Sequence, residues 1–262
     1  MNIIIFTELD EILFNLNESN YQSIARVVKK LKRHQIPLIP VSSKTRAEVE
    51  SWLRKFDLAD PFIVERGSGI FIDRQDNRFN TSQTNIVDRY HLYQLGCSYT
   101  EARAALKAVQ EEISKILRGF GDMDENNIQL LIGGTQLAAR QAKAREFSEY
   151  FLTPNRLELE LQEVAEEYGF KIVPGENLSL ILGAGANIAK SIEWIQNAIA
   201  DSDRLQTVCL GCNKDLTMFE IDIPIAVPTT SNSFNNENWQ TVNSTSISGW
   251  IESIEQILAR YL

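Results

Sequence analysis

The chain is short of positive charge, of cysteine and of long apolar runs, and each shortage closes off a class of function. Its 26 Lys and Arg are outnumbered by 35 Asp and Glu, for a formal net charge of −9. Nucleic acids and anionic membrane surfaces both select clustered Lys and Arg, so neither is expected as a partner. The three cysteines, Cys97, Cys209 and Cys212, are odd in number. Cys209 and Cys212 form a C-x-x-C, but no second pair completes a zinc site, so reduced thiols in the cytoplasm are expected. The apolar run near the N-terminus, Ile3 to Phe6, is four residues long and ends in acids, so neither a signal peptide nor a transmembrane span is expected in it. There is no internal repeat.

What remains is an ordinary globular composition, 44% hydrophobic and 23% charged, over 262 residues. That length suffices for one large domain, or for one domain carrying a smaller one. The chain is organised around its first stretch, Ile3-Ile4-Ile5-Phe6-Thr7-Glu8-Leu9-Asp10. Consecutive apolar residues followed by acid, apolar, acid predict a buried parallel strand whose carboxyl end carries Glu8 and Asp10 on the same face. Open α/β sheets place their ligand sites in the crevice at such strand ends.

Further along, Ile24, Val27, Val28 and Leu31 recur at helical spacing and predict an amphipathic helix ending near His34. A second strand over 36–41 runs into Ser42-Ser43-Lys44-Thr45-Arg46, where hydroxyls and backbone N–H groups open a helix. This is either an anion site or a plain N-cap, since both select the same residues. Residues 62–65 and 70–72 read as strands around the turn Arg66-Gly67-Ser68-Gly69. Polar residues 75–86 read as a linker. Helical periodicity follows over 100–116, 136–147 and 158–168, with strand-like runs at 170–173 and 178–182. The core pattern returns with a helix carrying Ile192, Ile195 and Ile199, strands at 207–210 and 223–227, and a last helix with Ile251, Ile254 and Leu258. Residues 229–245 are a Ser-, Thr- and Asn-rich loop, expected to be mobile and solvated. Strands alternating with helices imply an α/β fold with a parallel sheet covered on both faces. The expected division is a core over 1–82 and 181–262 with an inserted α+β cap over 83–180.

The first stretch resembles the opening motif of haloacid dehalogenase (HAD) superfamily phosphatases, an apolar run followed by Asp-x-Asp-Gly-Thr-Leu, with Glu8 standing at the nucleophilic Asp. The whole chain is similar, more narrowly, to the mannosyl-3-phosphoglycerate phosphatase family. The matching runs are Ser42-Ser43-Lys44-Thr45-Arg46-Ala47-Glu48, Gly-Cys-Ser-Tyr-Thr-Glu-Ala-Arg over 96–103, Gly-Phe-Gly-Asp-Met over 119–123, Ala-Arg-Glu-Phe-Ser-Glu over 144–149, and Gly249-Trp250. The resemblance implies a HAD-like Rossmannoid core with a C2B-type cap. It implies a nucleophile at position 8, Asp10 as acid and base, a phosphate-binding hydroxyl at Ser42 beside Ser43, and a phosphate-binding lysine where this chain has Ile188. It also implies Mg²⁺ on the nucleophile, a carbonyl and acids of a fourth motif, whose first acid is Cys212 here and whose later one is Asp215. A metal site here would draw on Glu8, Asp10 and Asp215.

Three motifs therefore differ at the residue with the chemical role: Glu8, Ile188 and Cys212. A thiol is a poor ligand for a hard cation, and a glutamate shifts the attacking oxygen by roughly an ångström. The expectation is a pseudophosphatase acting as a binding or regulatory protein with no cofactor. The alternative is a working Mg²⁺-dependent sugar-phosphate phosphatase. Arg103, Asp122, Arg145 and Ser148 in the cap are candidates to hold a phosphorylated sugar or glycerate, or else are helix caps and inter-helix ion pairs. Arg66 and Lys214 either pair with Glu8 or Asp10 in the metal's place or face solvent. A protein partner is the third possibility, with Trp194 and Trp239 as exposed contact candidates.

Overall fold

The computed structural model describes residues 3–14, 16–154, 159–199, 205–211, 221–229 and 239–261. Cys212, Lys214 and Asp215 lie outside the described residues. The central sheet is nine-stranded. Its parallel part is built from β1 (Ile3–Glu8), β2 (Leu38–Val41), β3 (Phe62–Val64), β10 (Gln206–Gly211), β11 (Ile223–Ala226) and β12 (Gln240–Thr241). β4 (Gly69–Asp73), β5 (Asn85–Val87) and β6 (Tyr90–Gln94) extend it antiparallel, in the order β12-β11-β10-β1-β2-β3-β4-β6-β5.

β1 is hydrophobic without alternation because both of its faces are covered. Ile3 and Ile5 join the cluster made by α1 (Glu18–Arg33), α2 (Arg46–Lys55) and α8 (Ser246–Tyr261), whereas Ile4 and Phe6 join the cluster of α7 (Ile188–Ala198). Two buried indoles fix the covering helices. Trp250 of α8 donates to Thr7 Oγ1 at 2.9 Å, and Trp52 of α2 donates to the Leu13 carbonyl at 3.0 Å. α1 buries Ile24, Val27, Val28 and Leu31, the residues whose spacing predicts it.

A second sheet, β7-β9-β8, belongs to the cap: β7 (Ser148–Leu152), β8 (Phe170–Val173) and β9 (Leu178–Gly183), all antiparallel. One face packs Phe151, Ile172 and Ile181 against α3 (Tyr99–Glu112) and α6 (Leu159–Glu167). The other face carries Tyr150, Val173, Leu180 and Leu182 together with Ala186. α4 (Glu125–Ile132) and α5 (Gln136–Lys143) complete the cap.

The expected domain boundaries shift at both ends of the insertion. β6 pairs with β4 and β5 with β6, so residues 85–94 belong to the central sheet, and β9 keeps the cap sheet going to Gly183. The helical run expected over 136–147 ends at Lys143, after which β7 begins. Of the loop expected over 229–245, the described part includes β12, paired with β11, and Trp239 is 9% exposed inside a hydrophobic cluster. Trp194 stacks on Tyr93 with ring centroids 4.3 Å apart. Trp239 is therefore buried in the core, whereas Trp194 is half-buried against it, because aromatic area of this size packs on the core when it lies over a sheet face. No helix among the described residues is long and apolar enough to cross a membrane.

Candidate active site at the junction of core and cap

Parallel pairing of β1 with β2 brings Glu8 level with Val41, so the carboxyl end of β1 and the loop after β2 face one another. Glu8 is 5% exposed. Asp10 is clamped by that loop: Ser42 Oγ donates to Oδ1 at 2.5 Å and the Ser43 N–H donates to Oδ2 at 2.8 Å. Ser42 Oγ also accepts from the Lys44 N–H at 3.0 Å. The expected acid-base residue and the expected phosphate-binding hydroxyl are therefore bonded to each other. Lys44 and Thr45 lead into α2 through a complete capping box, Thr45 with Glu48, so the plain N-cap reading also holds for this run.

Glu8, Asp10, Val41, Ser42, Ser43, Arg66 and Ile188 line a cavity of about 10 Å³. A single water needs about that much space, so a phosphate does not fit without rearrangement. Ile188 opens α7 behind the N-cap Asn187, whose side chain accepts from the Lys190 N–H at 3.0 Å. Lys190 itself is exposed on the helix and does not line the cavity. Among the lining residues Arg66 is the cation. Burial first, and the charge of Glu8 second, push the Cys209 thiol well above its ordinary range, so this buried cysteine is a neutral packing residue.

Arg66 sits in an unusual turn. Glu65, Arg66 and Gly67 are all left-handed, with φ of 48°, 59° and 82°. Two non-glycine residues in that region cost about 1–3 kcal/mol each, which the surroundings must offset. Glu65 supplies the offset. Its buried carboxylate accepts from the Glu146 N–H at 2.8 Å, the Phe147 N–H at 3.2 Å and the Ser148 hydroxyl, and it pairs with Arg145 at 3.4 Å. Arg145 in turn donates to Ser148 Oγ at 2.8 Å and to the Ser43 carbonyl at 3.1 Å. Arg145 and Ser148 thus reach the Asp10 loop through Ser43, while their polar groups are spent on the core. Arg145 Nη1 is buried without a hydrogen-bond partner.

Arg103 and Asp122 form a separate cluster. Arg103 pairs with Asp122 at 2.5 Å and with the buried Glu149 at 3.0 Å. Asp122 also accepts from the Gly119 N–H at 3.0 Å, and Glu149 from the Gly121 N–H at 2.7 Å. The Arg103 hydrogen bond holds the Asp122 carboxyl below its usual range. Desolvation raises that of Glu149, against the pull of Gly121 and Arg103. Of the two anions that organise these clusters, Glu65 lies in none of the matching runs, and Glu149 closes the run over 144–149 without being marked as a site residue. The available signal is that each is an acid within or beside a strand of apolar residues, where an unpaired charge is not tolerated.

As to metal, the described donors are Glu8 and Asp10, and both Asp10 oxygens already accept from Ser42 and Ser43. Among the described residues no cluster of three metal-ligating side chains occurs. Mg²⁺ keeps several waters and is held through one or two carboxylates, so Glu8 and Asp10 are the described side chains that would hold one. The fourth-motif positions lie outside the described residues.

No family model matches the chain. It is 30% identical over 269 residues to the glucosyl-3-phosphoglycerate/mannosyl-3-phosphoglycerate phosphatase of Persephonella marina, covering 98% of this chain and 97% of that one. It is 29% identical over 246 residues to the protein of the same name from Methanococcoides burtonii, covering 87% and 85%. Among solved structures it is similar to the sucrose-phosphatase of Synechocystis, with a TM-score of 0.61 at 13% identity over 97% of each chain. A HAD subclass IIB sugar phosphatase gives a TM-score of 0.62 at 12% identity over 97% of this chain and 98% of that one. The fold is accordingly HAD-like, with a cap.

Proposed function

Because the chain belongs to the glucosyl-3-phosphoglycerate/mannosyl-3-phosphoglycerate phosphatase family, we propose that its crevice still receives a phosphorylated glycosyl glycerate but that phosphoryl transfer has been lost. The observation that carries this reading is the lining of the small cavity: two carboxylates, Glu8 and Asp10, with Ile188 where the family places its lysine. A phosphate dianion brought to about 4 Å from a carboxylate is opposed by about 4 kcal/mol for each pair of unit charges at an effective dielectric of 20. The family's lysine and metal exist to cancel that term. Glutamate in place of aspartate costs less, about a hundredfold or roughly 2.7 kcal/mol, for an ångström of misplacement. The loss of a lysine at position 188, which leaves Arg66 as the cation lining the cavity, is therefore a larger change than the added methylene. Ser42 bonded to Asp10 is consistent with this, since the hydroxyl then faces an acid instead of a substrate oxygen.

A second reading is favoured by the names of the relatives, which are phosphatases matched over most of their length. In it Glu8 is the nucleophile, Asp10 the acid and base, and Mg²⁺ the cofactor. One assay separates the two: the full chain incubated with Mg²⁺ and mannosyl-3-phosphoglycerate, or with an aryl phosphate, and followed for phosphate release. The expected result is release no faster than in buffer, together with a raised melting temperature in the presence of the ligand. Turnover that disappears in Asp10→Asn establishes the hydrolase instead.

A further inference from the structure

A cavity of about 970 Å³ lies at the end of the central sheet away from the crevice. Among its lining residues Ile3 opens β1, Ile36 precedes β2, and Leu58, Ala59 and Asp60 precede β3, so it sits at the amino ends of the parallel strands. Glu8, Ser42 and Arg66 lie at or beyond the carboxyl ends of the same strands. Along β1, which is six residues long, the two places are roughly 17 Å apart. The volume is that of a small-molecule site and far exceeds the space of one water.

Part of the lining is apolar, since Ile3, Ile36 and Leu58 are buried. Another part is a fixed polar cluster. Arg78 donates through Nε and Nη2 to Asp76 at 2.8 and 2.7 Å, and through Nη2 to Asp60 at 2.8 Å. The second Asp60 oxygen accepts from the Leu38 N–H at 3.2 Å. Arg78 Nη1 therefore has no hydrogen bond among the described residues, and each Asp60 oxygen has filled one of about two acceptor places. Burial raises the Asp60 carboxyl above its ordinary range in spite of these bonds, so a further donor there is favourable. Tyr261 adds a ring and a hydroxyl at the same cavity.

Charge decides the class of ligand. Lys32 is held by Asp57 at 2.5 Å, and Arg78 by Asp60 and Asp76, so each of these cations is already paired. The formal charges of the lining cancel, Lys32 and Arg78 against Asp57 and Asp60, and neither an anion nor a cation meets an unmatched countercharge. A hydroxyl donates and accepts at once. Two neighbouring hydroxyls can accept from Arg78 Nη1 while donating to Asp60, which makes both contacts charge-assisted.

The geometry points to a binding site for a neutral polyhydroxylated ligand, a mono- or disaccharide, with its hydroxyls on Asp60 and Arg78 and its carbon framework on Ile36, Leu58 and Tyr261. The polar side chains are held before the ligand arrives, which lowers the cost of ordering them. The site stands whether or not the crevice binds or hydrolyses a ligand.

Ile3 and Ile36 line this cavity and Ile188 lines the crevice, so methyl NMR of the isoleucine-labelled full chain distinguishes the two places. The titrants are glucose, mannose and sucrose, with glycerate and inorganic phosphate as anions. A neutral sugar is expected to shift the Ile3 and Ile36 methyls with a Kd of about 1 mM and to leave Ile188 unmoved. Ala59→Trp, at an exposed position of the lining, is expected to abolish those shifts, and Tyr261→Leu to weaken binding about tenfold. If Ala59→Trp does not fold, Tyr261→Leu carries the test. Shifts confined to Ile188 place the sugar in the crevice and overturn the inference. It is equally overturned by Ile3 and Ile36 shifts that survive both substitutions, or that glycerate or phosphate produces as strongly. No shift of either methyl with any of the three sugars overturns it as well.

Discussion

Gly119 and Gly121 are fixed by the guanidinium they leave room for. A Cβ on Gly121 would stand 2.7 Å from Arg103 Cζ and 2.7 Å from the Tyr99 hydroxyl, and one on Gly119 would stand 2.3 Å from Glu149 Oε1. The Gly-Phe-Gly-Asp run therefore has a structural reason at each position: two glycines for clearance, Phe120 for the core cluster beneath, and Asp122 for the ion pair. Gly121→Ala is expected to push Arg103 off Asp122 and to destabilise the protein by about 1–3 kcal/mol, the usual range for overpacking. Urea unfolding reads this as a lower midpoint, and an unchanged midpoint would show that the guanidinium moves aside at no cost. The run was legible in sequence as a motif, but its physical partner was not. Glu149 lies in Ser-Glu-Tyr-Phe-Leu, and only the register of β7 against β9 shows that its side chain shares the buried face with Phe151.

Among the elements, α2 does the most to join the two domains. Its N-cap Thr45 completes a capping box with Glu48, and the same hydroxyl contacts the Gln141 carbonyl of α5 at 2.8 Å. Arg46 reaches Glu146 at 2.8 Å from the next position, and Gln141 Nε2 returns a bond to the Ala47 carbonyl at 3.4 Å. Thr45→Ala is expected to cost about 1–2 kcal/mol as a lost cap. It should also raise hydrogen exchange in α5, since the helix loses an anchor outside its own chain segment. Thr45→Ser keeps the hydroxyl and is expected to spare both quantities; exchange confined to α2 would limit the residue to capping. The start of α2 could be read from sequence because capping is local chemistry. β7, β5 and β6 could not. Spaced apolar residues ahead of β7, Ala139 and Ala142 in α5 and then Phe147, imitate a continuing helix, and the polar segment before Asn85 hides a hairpin whose buried residues are only Tyr90 and Leu92. α4 was equally silent, for it buries one residue, Ile128, and leaves Leu130 87% exposed.

For the whole molecule, the question is what keeps the cap on the core, and the buried pair Glu65 with Arg145 answers it. Glu65 belongs to the turn after β3, and the described groups that its carboxylate accepts from lie at the α5–β7 junction of the cap: the Glu146 and Phe147 N–H groups, Ser148 and Arg145. Arg145 carries the link onward to Ser43, whose own N–H holds Asp10, so cap attachment and the geometry of the site share one chain of contacts. Both side chains are essentially inaccessible, at 1% and 0% exposure, so removing one partner strands the other charge in the interior. Arg145→Met is accordingly expected to cost about 3–5 kcal/mol. Combining it with Glu65→Gln should recover part of that loss, because no uncompensated ion then remains. Two losses that simply add in denaturant unfolding would mean the residues act independently. The same double variant should leave the cap less firmly closed, visible as a larger radius of gyration in solution scattering, since the ion pair is gone even where stability has returned. Recovery of stability without any opening would place cap closure on α2 and α5 instead, where the Thr45 and Arg46 contacts remain.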